Sequence, residues 1–270
     1  MSRYSATFDR LRSQGEGAFG AFLMLGDPDL AASARLLDAV VEGGADMVEV
    51  GIPFSDPVAD GPVIQAAAQR ALAARIRVGD CLALIAGFRE RHPQVPVGIL
   101  TYANIVMARR RREFFRAAAD SGADSLLVAD VPSIEAEPWA TDMADAGIEP
   151  VLIAAANTPD EALARIARWS KAYTYCVSRA GITGTHSSGT FDPELVARLR
   201  VASAPPPIFG FGVSEPTHVR AALAAGAAGV ISGSAIVRVA DDGPRAVAEF
   251  VHTMKQATRD AAVSAPPAFA

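Results

Sequence analysis

Four times along this chain a helical stretch closes on a small residue and glycine, and a short apolar run starts at once. The unit reads Glu42-Gly43-Gly44-Ala45-Asp46-Met47-Val48-Glu49-Val50, then Ser121-Gly122-Ala123-Asp124-Ser125-Leu126-Leu127-Val128. It returns as Ala146-Gly147-Ile148-Glu149-Pro150-Val151-Leu152-Ile153 and as Ala225-Gly226-Ala227-Ala228-Gly229-Val230-Ile231. Glycine in that place is a helix C-cap that leads straight into a strand. Residues 18–25, 95–101, 172–177 and 207–211 are further apolar runs, which brings the strands to eight, most of them followed by a helix of ten or more residues. Eight β/α units in about 250 residues predict one (β/α)8 TIM barrel over residues 1–270, opened by a short amphipathic helix at 4–14. An open doubly wound sheet is the alternative arrangement. The Ala/Pro-rich residues 264–270 read as a frayed tail.

The balance of charge narrows what such a barrel could bind. A net charge of −5 gives no nucleic-acid footprint. The opening residues have no signal-peptide run, and no apolar stretch is long enough to span a bilayer, so a cytoplasmic metabolic protein is expected. Two cysteines, Cys81 and Cys176, fall in a helix-like and a strand-like segment and do not suggest a disulfide framework.

In this fold binding and catalysis sit at the C-terminal strand ends. The stretch Val48 to Pro62 carries two carboxylates to that rim. Side chains alternate along a strand, so Met47, Glu49 and Gly51 share one face. A Glu inside an apolar strand is seldom buried without a purpose. Burial disfavours its charged form and raises its pKa toward neutrality, which suits a group that both gives and takes protons. Asp60 lies beyond the strand among Gly and Pro, nearer water. Such an Asp is ordinarily a turn former, yet two acids in two environments can also divide acid and base roles.

Three later loops are poor in side chains: Gly181-Ile182-Thr183-Gly184, Phe209-Gly210-Phe211-Gly212-Val213-Ser214 and Ile231-Ser232-Gly233-Ser234-Ala235. Loops after the seventh and eighth strands commonly hold phosphate in barrels, and a helix opening at Ser234 would point free N–H groups at an anion. No Lys or Arg is evident in the last two loops, which leaves Arg179 as the nearest basic side chain. A Schiff-base lysine is missing: Lys171 precedes its strand and Lys255 sits in the last helix. The four histidines are scattered rather than clustered as metal ligands, and Cys176 should face the helices. Carboxylate proton transfer on a phosphorylated substrate remains. Phe22, Leu100, Tyr102, Leu127, Ile153, Tyr175 and Phe211 fit a flat apolar slot for an aromatic ring.

These residues resemble the tryptophan synthase alpha chain family. The resemblance rests on Leu25-Gly26-Asp27-Pro28, the run Glu49 to Pro62, Tyr102-Ala103-Asn104, Val128-Ala129-Asp130-Val131-Pro132 and Tyr173-Thr174-Tyr175. It continues through Gly181-Ile182-Thr183-Gly184, Gly210-Phe211-Gly212 and Ile231 to Val237, nearly the whole chain in order and spacing. It implies retro-aldol cleavage of indole-3-glycerol phosphate to indole and glyceraldehyde 3-phosphate. Glu49 would protonate indole C3 and take the proton of the hydroxyl next to the breaking bond; Asp60 would stabilise charge at the indole nitrogen. Tyr175 would orient substrate and Glu49. Phe22, Leu100, Tyr102, Leu127, Ala129, Ile153 and Phe211 would flank the indole, with Thr183 also at the substrate, and Gly184, Gly212, Gly233 and Ser234 would hold the phosphate. No cofactor and no metal are implied for this chain. The implied partner is the beta chain, in an αββα assembly, with Pro53, Asp56, Asn104 and Pro132 facing it. Residues 179–190 match a mobile lid. Two stretches depart from the family: the lid reads Thr185-His186-Ser187-Ser188 without charged residues, and Arg109 to Arg112 form a basic run that reads as a solvated face or a partner contact.

Three other functions share parts of this pattern. A stand-alone lyase releasing free indole would carry the same motifs. A subunit that mainly activates its partner would not need Glu49 and Asp60 intact. A flavin barrel with a similar phosphate site would be coloured.

Overall fold

The computed structural model describes residues 1–177 and 191–260. Arg179, Thr183, Gly184, the lid residues and the tail expected at 264–270 lie outside the described residues. All four glycine units fold the same way. Gly44, Gly122, Gly147 and Gly226 take φ between +82° and +97°. The next N–H then turns back on the helix it leaves: Ala45 donates to the Val40 carbonyl at 3.0 Å, Ala123 to Ala118 at 3.1 Å, Ile148 to Met143 at 2.9 Å and Ala227 to Ala222 at 3.2 Å. This six-to-one bond satisfies an otherwise orphaned carbonyl and aims the chain directly into a strand.

The strands are β1 (Ala18–Met24), β2 (Met47–Gly51), β3 (Val97–Thr101), β4 (Ser125–Val128), β5 (Glu149–Pro150), β6 (Leu152–Ala155), β7 (Thr174–Val177), β8 (Pro207–Phe209) and β9 (Gly229–Ser232). All pair in parallel in the order β5-β4-β3-β2-β1-β9-β8-β7-β6. The two ends of that order flank Val151 and are halves of one barrel strand, so the sheet is a nearly closed eight-stranded barrel with helices outside. The barrel expected from the repeated unit is what forms, and the open sheet is not. The expected N-terminal helix spans Arg3–Gln14 and closes the bottom of the barrel. Its Tyr4 shares a hydrogen bond with Ser125 at 2.9 Å and packs its ring 5.5 Å from that of Tyr173.

Strand alternation sorts the apolar residues into two cores. Phe22, Met24, Met47, Leu127, Tyr173, Tyr175, Ile208 and Ile231 fill the barrel interior. Phe19, Leu23, Val48, Val50, Ile99, Leu126, Cys176, Phe209 and Val230 point outward into the layer under the helices. Cys176 therefore faces the helices, where burial drives its thiol pKa upward. Cys81, in the helix Val78–Arg91, is pushed up to about 12 by burial, with Asp80 adding to it.

The charged residues of the bottom face are tied together. Asp46, just before β2, accepts from Lys255 at 2.8 Å, Arg10 at 3.0 Å and the Phe19 N–H at 3.0 Å. Lys255, only 5% exposed, also reaches Glu16 at 3.0 Å. Asp124, just before β4, accepts from Arg89 at 2.6 Å, Arg3 at 2.7 Å and the Val97 N–H at 2.8 Å. The basic run after β3 is only partly a solvated face. Arg111 and Arg112 both clamp the buried carboxylate of Asp142 on the next helix, and Arg111 lies over the Trp139 ring at 5.1 Å. Burial favours the neutral acid, but the two guanidiniums outweigh it and hold the Asp142 pKa low.

Candidate active site

The register Phe22–Glu49–Gly98 across β1, β2 and β3 sets the Glu49 side chain inside the barrel. Glu49 is 3% exposed. One carboxylate oxygen, Oε1, accepts a hydrogen bond from the Tyr173 hydroxyl at 3.0 Å, while Oε2 is buried and has no partner. Burial raises its pKa to about 8; the Tyr173 hydroxyl opposes this and the nearby Asp60 charge adds to it. A carboxyl group poised in this range can exchange a proton in both directions near neutral pH.

Asp60 lies in the loop between β2 and the helix Pro62–Ala73. Its Oδ2 accepts from the Tyr102 hydroxyl at 2.8 Å. Burial raises its pKa to about 6, and the Tyr102 hydrogen bond pulls it back down. Asp60 is thus the more acidic of the pair, as its place nearer water implies. The Tyr102 oxygen also accepts from the Ala59 N–H at 3.3 Å, and its ring packs 5.3 Å from Phe54. This departs from the expectation that Tyr102 flanks the ring slot. Its hydroxyl is drawn to the Asp60 carboxylate, so the side chain backs Asp60 rather than lining the cavity.

Both acids open onto one cavity of about 270 Å³ at the C-terminal strand ends. Phe22, Leu100, Leu127, Ala129, Ile153, Tyr175 and Phe211 make its apolar wall. Gly212, Gly233 and Ser234 line the same cavity with Gly210, Ser214 and Arg238. The expected ring slot and the expected anion site therefore share one pocket. Gly210 is fixed by close approach: a Cβ there would overlap the Tyr175 ring, which also meets Phe211 edge-on at 6.1 Å.

Two functional candidates escaped the sequence reading. The hydrogen bond to Glu49 comes from Tyr173, one layer deeper than Tyr175; the two-residue alternation that placed Tyr175 inside also places Tyr173 there. Arg238 lies in the helix Ser234–Val239 rather than in the loop before it, so a search of the loops for a basic residue passes it by.

On the rim, Asp56, Asn104 and Pro132 are exposed, whereas Pro53 is buried beneath its own loop. Pro53 is therefore not part of the solvent-facing surface. Three apolar side chains stand out from the same loops: Val58 is 71% exposed, Met107 55% and Ile134 71%. Among the described residues no helix is long and apolar enough to cross a membrane.

Taken together, a parallel barrel with its cavity and buried acids at the C-terminal strand ends defines a (β/α)8-barrel enzyme. The family model for the tryptophan synthase alpha chain matches residues 8–264. The alpha chain of Shewanella oneidensis is 46% identical over 265 residues, covering 95% of each chain. That of Serratia proteamaculans is 47% identical over 267 residues, covering 96% of this chain and all of the relative. Among solved structures, a chain of Mycobacterium tuberculosis tryptophan synthase superposes with a TM-score of 0.88 at 31% identity, covering 96% of this chain and 98% of the other. The alpha subunit of Legionella pneumophila superposes with a TM-score of 0.86 at 30% identity, covering 96% and 99%. The chain belongs to the tryptophan synthase alpha chain family, the carbon–carbon lyases of tryptophan biosynthesis that cleave indole-3-glycerol phosphate and work with a beta chain.

Proposed function

We propose that Glu49 is the acid/base of this cleavage and Asp60 its electrostatic partner. The observation that carries the assignment is the unpartnered Oε2 of a buried carboxyl group whose other oxygen is pinned by Tyr173. Protonated Glu49 delivers its proton to indole C3, and the ring nitrogen takes up positive charge as an iminium. Glu49, now a carboxylate, removes the proton of the glycerol hydroxyl adjacent to the bond to the ring. That hydroxyl carbon becomes the aldehyde of glyceraldehyde 3-phosphate as the bond breaks, and the bonding pair restores the aromatic ring and neutralises the nitrogen, so indole leaves neutral and the enzyme returns to its protonated starting state. Near pH 8 both forms of Glu49 are populated, which favours one group serving both steps. Asp60, with a pKa near 6, is ionised at neutral pH and stabilises positive charge developing at the ring nitrogen.

The apolar wall from Phe22 to Phe211 holds the indole, with Tyr175 orienting it. Gly212, Gly233 and Ser234 hold the phosphate through loop amides and the Ser234 hydroxyl. Thr183 and Gly184 belong to the same proposal by resemblance. The beta chain docks on the rim carrying Asp56, Asn104 and Pro132, in an αββα assembly in the cytoplasm; exposed Val58, Met107 and Ile134 favour this surface, because they follow the adjacent strands β2, β3 and β4 at one end of the barrel.

The test is indole release from indole-3-glycerol phosphate by the purified chain, with and without a tryptophan synthase beta chain. Slow release that rises strongly with beta is expected. Fast release unmoved by beta would indicate a stand-alone lyase.

A further inference from the structure

The pocket wall contains three charged side chains among the described residues, and they are not placed alike. Glu49 and Asp60 come from β2 and the loop that follows it. Arg238 follows β9 with Gly233 and Ser234, across β1 from the two acids. It follows Ser234 by four residues in the same helix, so the two share a face. Helical side chains lean back toward the N-terminus of their helix, which carries the guanidinium toward Ser234 and the cavity mouth. Arg238 is exposed, and no ion pair engages it among the described residues. The other arginines of known role are committed elsewhere: Arg70 to Asp27, Arg89 and Arg3 to Asp124, Arg111 and Arg112 to Asp142.

A phosphorylated substrate entering a pocket with two acids meets repulsion unless positive charge lies away from them. We infer that Arg238 is the charged ligand of the substrate phosphate. By holding the dianion on the β9 side of the pocket, across β1 from Glu49 and Asp60, it fixes which way round the substrate lies. The guanidinium supplies paired N–H donors that match phosphate oxygens, and it acts beside the loop amides rather than instead of them. This deepens the proposed function and rests on its reading that the substrate carries a phosphate.

The test compares the full-length chain with Arg238→Gln and Arg238→Lys. It measures steady-state cleavage, inhibition by inorganic phosphate and by glycerol 3-phosphate, and binding of indole alone. For Arg238→Gln, KM and both anion inhibition constants should rise ~10-fold at low salt, the scale of one partly solvated charge-assisted hydrogen bond. On the same grounds kcat should stay within about twofold and indole binding should not change, while Arg238→Lys, which keeps the charge, should recover most of the loss. Anion inhibition constants in Arg238→Gln that match the parent would overturn the role of Arg238 and leave the phosphate site standing. Equal weakening of indole and anions would also overturn it, because the damage would then be general. A parent chain that neither anion inhibits would remove the phosphate site itself, and Arg238's role with it.

Discussion

The two ends of this barrel use the same residue types to opposite effect. At the bottom, Asp46, Asp124 and Glu16 each meet Lys or Arg, and four of the cations, Arg3, Arg10, Lys255 and Arg259, come from the terminal helices. Burial alone would raise the Glu16 pKa, but Lys255 and Arg259 outweigh it and the net shift is downward. At the top, Glu49 and Asp60 are buried with only tyrosine hydroxyls for company, and both pKa values are raised. A carboxylate held low lends stability above its ordinary pKa that is lost as the pH falls. A carboxyl group held high lends stability below its ordinary pKa that is lost as the pH rises through its folded value. Acid therefore loosens the bottom and alkali loosens the top. The bottom spends its charges on holding the fold, whereas the top keeps them unpaired for chemistry.

Changes that equalise the two ends measure this difference. The largest effect is expected from Glu49→Gln, which should lower cleavage by about 10³ or more, within the range attributed to a positioned acid/base. The same variant should melt above the parent at pH 9, by roughly 2–4 kcal/mol, and match it at pH 4, because only the parent must bury a carboxylate at high pH. Thermal unfolding across pH checks this, and an unchanged gap between pH 4 and pH 9 would contradict the raised pKa.

Lys255→Met makes the bottom resemble the top by leaving Asp46 and Glu16 short of a cation. It should cost roughly 3 kcal/mol in denaturant unfolding, as removing one partner of a buried pair does, with cleavage by the folded fraction intact. Asp60→Asn should lower kcat by about 10², and by the same linkage it should melt above the parent at pH 8 and match it at pH 3, with the Asn oxygen still accepting from Tyr102. Tyr173→Phe should be mildest, about tenfold in kcat/KM. Its sharper signature is in the pH profile: with the hydroxyl gone, the limb assigned to Glu49 should move to higher pH. A limb that stays in place would mean Tyr173 does not hold Glu49.

The same contrast explains what could be read from the residues alone. The barrel was legible because its four glycine caps are local, each decided by backbone conformation within a few residues. Glu49 was legible because a charged residue in an apolar strand violates burial patterning. Partnerships were not legible. Nothing within two turns of Lys255 points to Asp46, more than two hundred residues away, and Tyr173 reaches Glu49 from the opposite side of the barrel. Tyr102 was placed on the correct rim, but the side chain turned to Asp60, a choice made by tertiary neighbours. The run Arg109 to Arg112 looked like surface because its counter-charge, Asp142, arrives on the following helix.

One interruption in the sheet affects how the barrel can move. The ladder between β4 and the next strand holds at Ser125–Glu149 and Leu126–Pro150 and then stops, while β6 pairs only with β7. Above Val151 the wall opens as an unzipped seam beside a second cavity of about 460 Å³, which shares Ala129 and Ile153 with the site. A hoop fastened all round resists widening equally at every point, but a hoop slit partway down one side flexes at the slit. Amide hydrogen exchange is therefore expected to be faster in β6 above Val151 than in the fully paired β2.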